Sequence, residues 1–120
     1  MNEPPFTVGH EDEFERSGRW LLARRSLGVH SFGINLVEIE PGGRIPEHDE
    51  TPRDQEEVYI VLSGTAVAIV DGVEYPAPQG TYVRLDPEPL RTIANAGAEP
   101  VKLLMVSAPR SSGYEPMDWA

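Results

Sequence analysis

From Arg19 onward the chain is a series of short apolar runs separated by glycine, proline or aspartate: 19–25, 32–40, 58–62, 65–70, 81–85, 90–94 and 101–107. Runs of this length, rich in β-branched residues and bounded by turn formers, predict strands. Their even spacing predicts an all-β barrel or sandwich. Phe32, Ile34 and Leu36 alternate with Gly33, Asn35 and Val37, and Val101, Leu103 and Met105 with Lys102, Leu104 and Val106. Several runs are apolar on both faces, so each needs two covers, the barrel interior on one side and another sheet or a second subunit on the other. Asp71-Gly72, between 66–70 and 73–75, predicts a two-residue hairpin. The expected core is Leu36, Val37, Ile39, Val58, Ile60, Leu62, Val67, Ile69, Val83, Leu85, Leu103 and Met105.

The flanks read differently. Residues 1–18 are polar and acidic, a loose arm or single helical turn around Phe14; 19–108 form the β domain; and 109–120 are a tail whose Tyr114, Met117 and Trp119 are expected to pack on it. A length of 120 residues suits one domain with a real core. Twelve prolines and eleven glycines work against long helices. A net charge of −10 argues against an electrostatic grip on nucleic acid or on an anionic membrane. Without cysteine, only histidine and carboxylates are left as metal ligands. Met1 to Thr7 has no basic start or apolar stretch of signal length, and no run reaches the ~18 apolar residues of a membrane span. A cytoplasmic location is the expectation.

The most informative stretch is PGGRIPEHDETPRDQEEVYIVLSG, from Pro41 to Gly64. It resembles the first motif of the cupin superfamily: glycine, five residues, His-x-His, a short loop, glutamate, six residues, glycine. Gly42, His48, Glu57 and Gly64 fall in place, but Glu50 stands where the second histidine would be, and the loop from Glu50 to Glu57 is longer than usual. The second cupin motif can be laid on Gly80 to Asn95, where both ends match while Asp86, Glu88 and Arg91 replace its proline, glycine and histidine. The resemblance implies a double-stranded β-helix (cupin, or jelly-roll) barrel extending to about Ser107. It does not choose a function, because the scaffold serves isomerases, dioxygenases, decarboxylases, storage proteins and sensory domains.

In metal-binding cupins three imidazoles and one carboxylate converge from neighbouring strands, leaving open positions for substrate. Residues two apart on a strand share a face, so His48 and Glu50 would both point inward, as would Gln55, Glu57 and Tyr59, and Arg91 and Ile93. These seven form the expected pocket. Arginine offers only donors and cannot ligate a metal. The favoured expectation is therefore a barrel without a metal cofactor, in which Arg91 bridges Glu50 and Glu57 and a small polar or anionic molecule binds. One alternative is a divalent-metal enzyme of isomerase or dioxygenase type, with His48, Glu50 and Glu57 as ligands. The other is a non-catalytic structural or regulatory homodimer. His10 and His30 read as surface residues, Trp20 as core, and Ser63, Ser111 and Ser112 carry no nucleophile-elbow pattern.

The doubly apolar strands predict a homodimer, since a monomer would leave one apolar face in water. Sedimentation equilibrium at micromolar concentration is expected to give twice the chain mass of 13.3 kDa, and a monomer alone would contradict it.

Overall fold

The computed structural model of the chain describes residues 4–120. It contains nine strands and one helix: β1 (Arg16–Ser17), β2 (Trp20–Leu21), α1 (Ala23–Leu27), β3 (Gly33–Ile39), β4 (Gln55–Ser63), β5 (Thr65–Val70), β6 (Val73–Pro78), β7 (Tyr82–Leu85), β8 (Arg91–Asn95) and β9 (Val101–Pro109). Single 3-10 turns occupy Glu11–Glu13 and Thr51–Arg53. The strands form two antiparallel sheets, ordered β1-β2-β3-β9-β4-β7 and β6-β5-β8. The smaller sheet is extended by the segment 42–48, which runs beside β8 through bridges from Arg44 to Ala94 and from His48 to Arg91. This is the jelly-roll barrel that the motif resemblance implies. No helix among the described residues is long and apolar enough to cross a membrane.

The barrel interior is graded along its length. At one end the inner faces of β3, β9 and β4 meet in Ile39, Val101, Val37, Leu103 and Val61, all buried. Toward the other end the same rows become Asn35, Met105 and Tyr59, then Gly33, Ser107 and Glu57, and finally Gln55. An apolar floor thus holds the sheets together, at about 1.5–3 kcal/mol per large buried side chain, and polar groups gather at the mouth.

Several expected core positions take the opposite face. On β4 the buried residues are Glu57, Tyr59 and Val61, while Val58 and Ile60 are half-buried and Leu62 is exposed; on β5 they are Ala66 and Ala68 rather than Val67 and Ile69. One strand cannot turn both Glu57 and Val58 inward, and the small alanines of β5 leave room for Tyr59 and Ile93 in the same core cluster. A register slip between Val61 and Ser63 leaves Leu62 on the outside. The sequence also hides the contribution of 42–48, whose buried Ile45 is flanked by polar residues and Pro46.

The run 19–25 is a strand only at Trp20 and Leu21; the chain then turns into α1, closed by the Gly28 N–H donating to the carbonyls of Arg24 and Arg25. The helix lays Ala23 beside Leu21 and Leu36 on the outer face of the larger sheet, with Phe14, Ile34 and Leu104 packed around them. Part of the second apolar face is therefore covered by the chain itself. The end of the expected arm joins the sheet as β1, where Arg16 pairs with Glu38. The tail does not pack as expected: Tyr114, Met117 and Trp119 are 77%, 63% and 83% exposed. The Asp71–Gly72 hairpin forms as expected, both residues having positive φ.

β6 lies at the free edge of the smaller sheet and carries Pro76 and Pro78. β7 is the corresponding edge of the larger sheet. An apolar cleft of about 440 Å³ opens between them, lined by Tyr75, Val83 and Leu85 among others.

The motif glycine Gly64, between β4 and β5, has φ +91° and leaves no room for a side chain, since a Cβ would lie 2.7 Å from the Pro100 carbonyl oxygen and 2.9 Å from Val101 Cα. Gly64→Ala is expected to cost about 2–4 kcal/mol, backbone strain and overpacking together. Gly80→Ala, at φ +89° with nothing within 4 Å of its Cβ, is expected to cost only the strain, about 1–2 kcal/mol. Urea unfolding of the two variants compares them directly.

Candidate functional site

Bridge pairing fixes which side chains meet. His48 is the cross-strand partner of Arg91, and Glu57 heads the inner face of β4 beside Leu85 and Ser107. Cross-strand partners share a face, so His48, Glu50, Glu57 and Arg91 converge from three stretches of chain. His48 Nε2 lies 3.0 Å from Glu50 Oε2 and 3.8 Å from Glu57 Oε1. The Tyr59 hydroxyl donates to the same Glu57 Oε1 at 2.8 Å. Five of the seven expected pocket residues thus form one cluster. Gln55 stands one step farther out toward the mouth, and Ile93 lies below, buried in the apolar core.

His48 Nδ1 is 2.9 Å from the Pro46 carbonyl oxygen. A carbonyl can only accept, so Nδ1 carries a proton, and Nε2 is the atom turned toward the two carboxylates. Glu57 is held above the usual carboxylate range, first by burial and then by the neighbouring Glu50 charge, with the Tyr59 hydrogen bond, Arg91 and His48 opposing. Burial, with Glu57 beside it, likewise pushes the Tyr59 hydroxyl far up, so it remains a donor.

Arg91 does not bridge the carboxylates as expected. Its guanidinium, 1% exposed as a side chain, donates through Nη1 to the carbonyls of Pro87 and Pro89 at 3.1 and 2.8 Å, and through Nη2 to that of Asp86 at 2.7 Å. Only Nε faces Glu57 Oε1, at 3.6 Å, and it has no hydrogen-bond partner. Glu50 is turned to His48 instead. The loop that Arg91 gathers also receives the Glu50 N–H on the Pro87 carbonyl. The physical reason is local: two prolines within 86–90 leave rigid carbonyls without strand partners, and a buried planar fork satisfies three of them.

One histidine nitrogen and two carboxylate oxygens, one from each of His48, Glu50 and Glu57, lie within 4.8 Å of one another. Such a set fits a divalent cation that prefers oxygen, with open positions left for a ligand. Arg91 beside it, with Nε 3.6 Å from Glu57 Oε1, opposes a cation by charge, while its terminal nitrogens are turned to the loop carbonyls. The matching ends of the second motif act structurally: Asn95 donates to the carbonyls of Ile39 and Glu99 and accepts from Gly97 N–H, clamping β8 to the end of β3.

The fold and this cluster define a small barrel of the cupin class, and comparison with known proteins agrees. The family described as "Cupin domain" matches residues 35–107, and the chain belongs to the cupin superfamily. Among curated proteins none matches. A cupin protein from Bacteroides fragilis superposes with a TM-score of 0.80 at 20% identity, over 98% of this chain and 94% of that one. A sugar phosphate isomerase of the cupin superfamily from Silicibacter pomeroyi DSS-3 gives 0.66 at 25% identity over 74% of this chain, which spans 57% of that longer protein. A predicted oxalate decarboxylase from Thermotoga maritima gives 0.71 at 20% identity, over 86% and 99% of the two chains.

If Arg91 acts through the loop carbonyls, Arg91→Lys keeps the charge yet loses the fork, and is expected to destabilise by about 2–4 kcal/mol. Glu57→Gln, which keeps the acceptor for Tyr59, is expected to cost less than about 1 kcal/mol. Thermal and denaturant unfolding of both variants checks the order; a larger loss in Glu57→Gln would restore the carboxylate-bridging role.

Proposed function

We propose that this cupin holds a divalent cation on His48, Glu50 and Glu57 and takes a small oxygen-rich molecule at the mouth of the barrel. The observation that carries this reading is the orientation of His48: its Nδ1–H is tied to Pro46, so Nε2 is presented to two carboxylate oxygens. Metal-binding histidines are commonly oriented in this way by a hydrogen bond at the other nitrogen. A bound cation would supply Lewis acidity, polarising a hydroxyl or carbonyl oxygen of the ligand.

The chain's own residues do the rest. With Glu57 Oε1 given to the cation and to the Tyr59 hydroxyl, the second oxygen of the same carboxylate is the atom that would take a proton from a ligand oxygen or carbon and return it. Tyr59 fixes the carboxyl through its hydroxyl, and the apolar floor beneath keeps water to the mouth side. The similarity to a protein named as a sugar phosphate isomerase supports a hydroxylated small molecule as the first class to try and proton transfer as the first reaction.

A second reading is favoured by one observation, the positive Arg91 Nε only 3.6 Å from Glu57 Oε1: a barrel that binds its polar ligand without metal. The two separate on metal content. After dialysis against manganese or zinc and gel filtration, elemental analysis is expected to find about one ion per chain in the native protein, and background in His48→Ala and Glu57→Gln. Equal background in all three would reject the cation and leave the second reading.

A further inference from the structure

A second cavity, about 470 Å³, opens at the polar end of the barrel beside the His48 cluster; Arg24, His30, Asn35, Arg53, Gln55 and Ser107 give it its chemistry. Its volume lies within the usual range of small-molecule sites. Gln55 is two residues along the inner face from Glu57, and Ser107 is the cross-strand partner of Glu57, so the cavity adjoins the carboxylate cluster. Gly33 lies across from Ser107, and a Cβ on it would sit 2.5 Å from the Ser107 hydroxyl oxygen. Glycine there leaves that hydroxyl its place.

The charge of this mouth is the reverse of the protein's. The chain carries twenty acidic and ten basic side chains, yet no Asp or Glu lines the cavity. Among the described residues, Arg16, Arg25, Arg84, Arg91, Lys102 and Arg110 are each within ion-pair distance of a carboxylate. Of the remaining four, Arg19, Arg24, Arg44 and Arg53, two open onto this one mouth. Arg24 donates to the Val29 carbonyl through a single nitrogen. The Arg53, Asn35, Gln55 and Ser107 side chains make no hydrogen bond among the described residues, while the last three are half-buried. Exposed guanidinium forks with donors to spare, together with half-buried uncommitted amides and a hydroxyl, are the donor set that an oxyanion recruits.

We propose that this mouth is an anion subsite, in which Arg24 and Arg53, with Gln55, Asn35 and Ser107, receive the phosphate or carboxylate group of a small ligand whose neutral part reaches toward Glu57. The proposal rests on reading the barrel interior as a ligand site, but it does not need the cation. The shared chemistry is a group of two or three anionic oxygens.

The test is an NMR titration of the 15N-labelled chain with inorganic phosphate and, separately, with acetate, in the presence of EDTA and at constant ionic strength set with sodium chloride. Saturable shifts are expected at the Gln55 and Ser107 amides, with phosphate, acetate or both as the effective anion naming the source. The Arg24→Gln/Arg53→Gln double variant, altered only at exposed side chains, is expected to weaken binding at least about tenfold, and Arg53→Gln alone to weaken it measurably. Arg16→Gln, which like Arg53→Gln removes one positive charge but lies in the edge strand β1 outside the cavity lining, should leave it unchanged. Non-saturating shifts with both anions, or equal affinity in the double variant and Arg16→Gln, would overturn the subsite. Because chelator keeps the His48 cluster free of metal throughout, failure here leaves the cation reading standing, and failure of cation uptake leaves the subsite standing.

Discussion

A charged guanidinium inside a small β-barrel must be surrounded by acceptors, and at Arg91 that requirement organises one end of the molecule. Its terminal nitrogens take the carbonyls of Asp86, Pro87 and Pro89, converting a proline-rich loop with few partners of its own into a fixed wall. The same loop accepts the Glu50 N–H, and its far end is held by Asp71, whose side chain accepts from the Leu90 N–H. The position of Glu50, and with it the approach of Glu50 to His48, therefore follows from where Arg91 sends its donors. Leaving a buried ion without its partners costs several kcal/mol, which is why the loop and the arginine behave as one unit.

Much of the barrel is legible in the order of residues. The strands after Phe32, the Asp71–Gly72 hairpin and the spacing of Gly42, His48, Glu57 and Gly64 all correspond to the folded chain. The inward turn of Glu57 and Tyr59 follows from a period of two once β4 begins at Gln55, and that of His48 from its bridge to Arg91. What pattern alone misjudges is which face of β4 and β5 is the core, because both faces are apolar or ambivalent and periodicity cannot rank Val58 against Tyr59. The helix after Leu21 is hidden for a related reason: residues 23–27 are too few for a helical period, and tertiary packing on Leu36 decides.

The site was legible as a set of residues and not as a set of bonds. Spacing places Arg91 where the family carries a histidine, but the destination of a long side chain depends on acceptors that come from elsewhere in the chain. Here those acceptors are backbone carbonyls freed by Pro87 and Pro89, which no charge-pairing rule would weigh. Arg24, His30 and Arg53 escaped notice as site residues because two lie in or after the unforeseen helix and the third in the single turn before β4. Only the closed barrel brings them to one rim.

The cleft between the two free edges raises a different matter, the protein's behaviour in a crowded solution. An open sheet edge invites a strand from another molecule, and apolar surface beside it makes the invitation stronger. β6 answers with Pro76 and Pro78, residues that supply no N–H to a growing ladder. A sheet blunted in this way resists templated stacking into fibrils, so the barrel can keep an uncovered apolar slot along its side without that slot becoming a seed for aggregation.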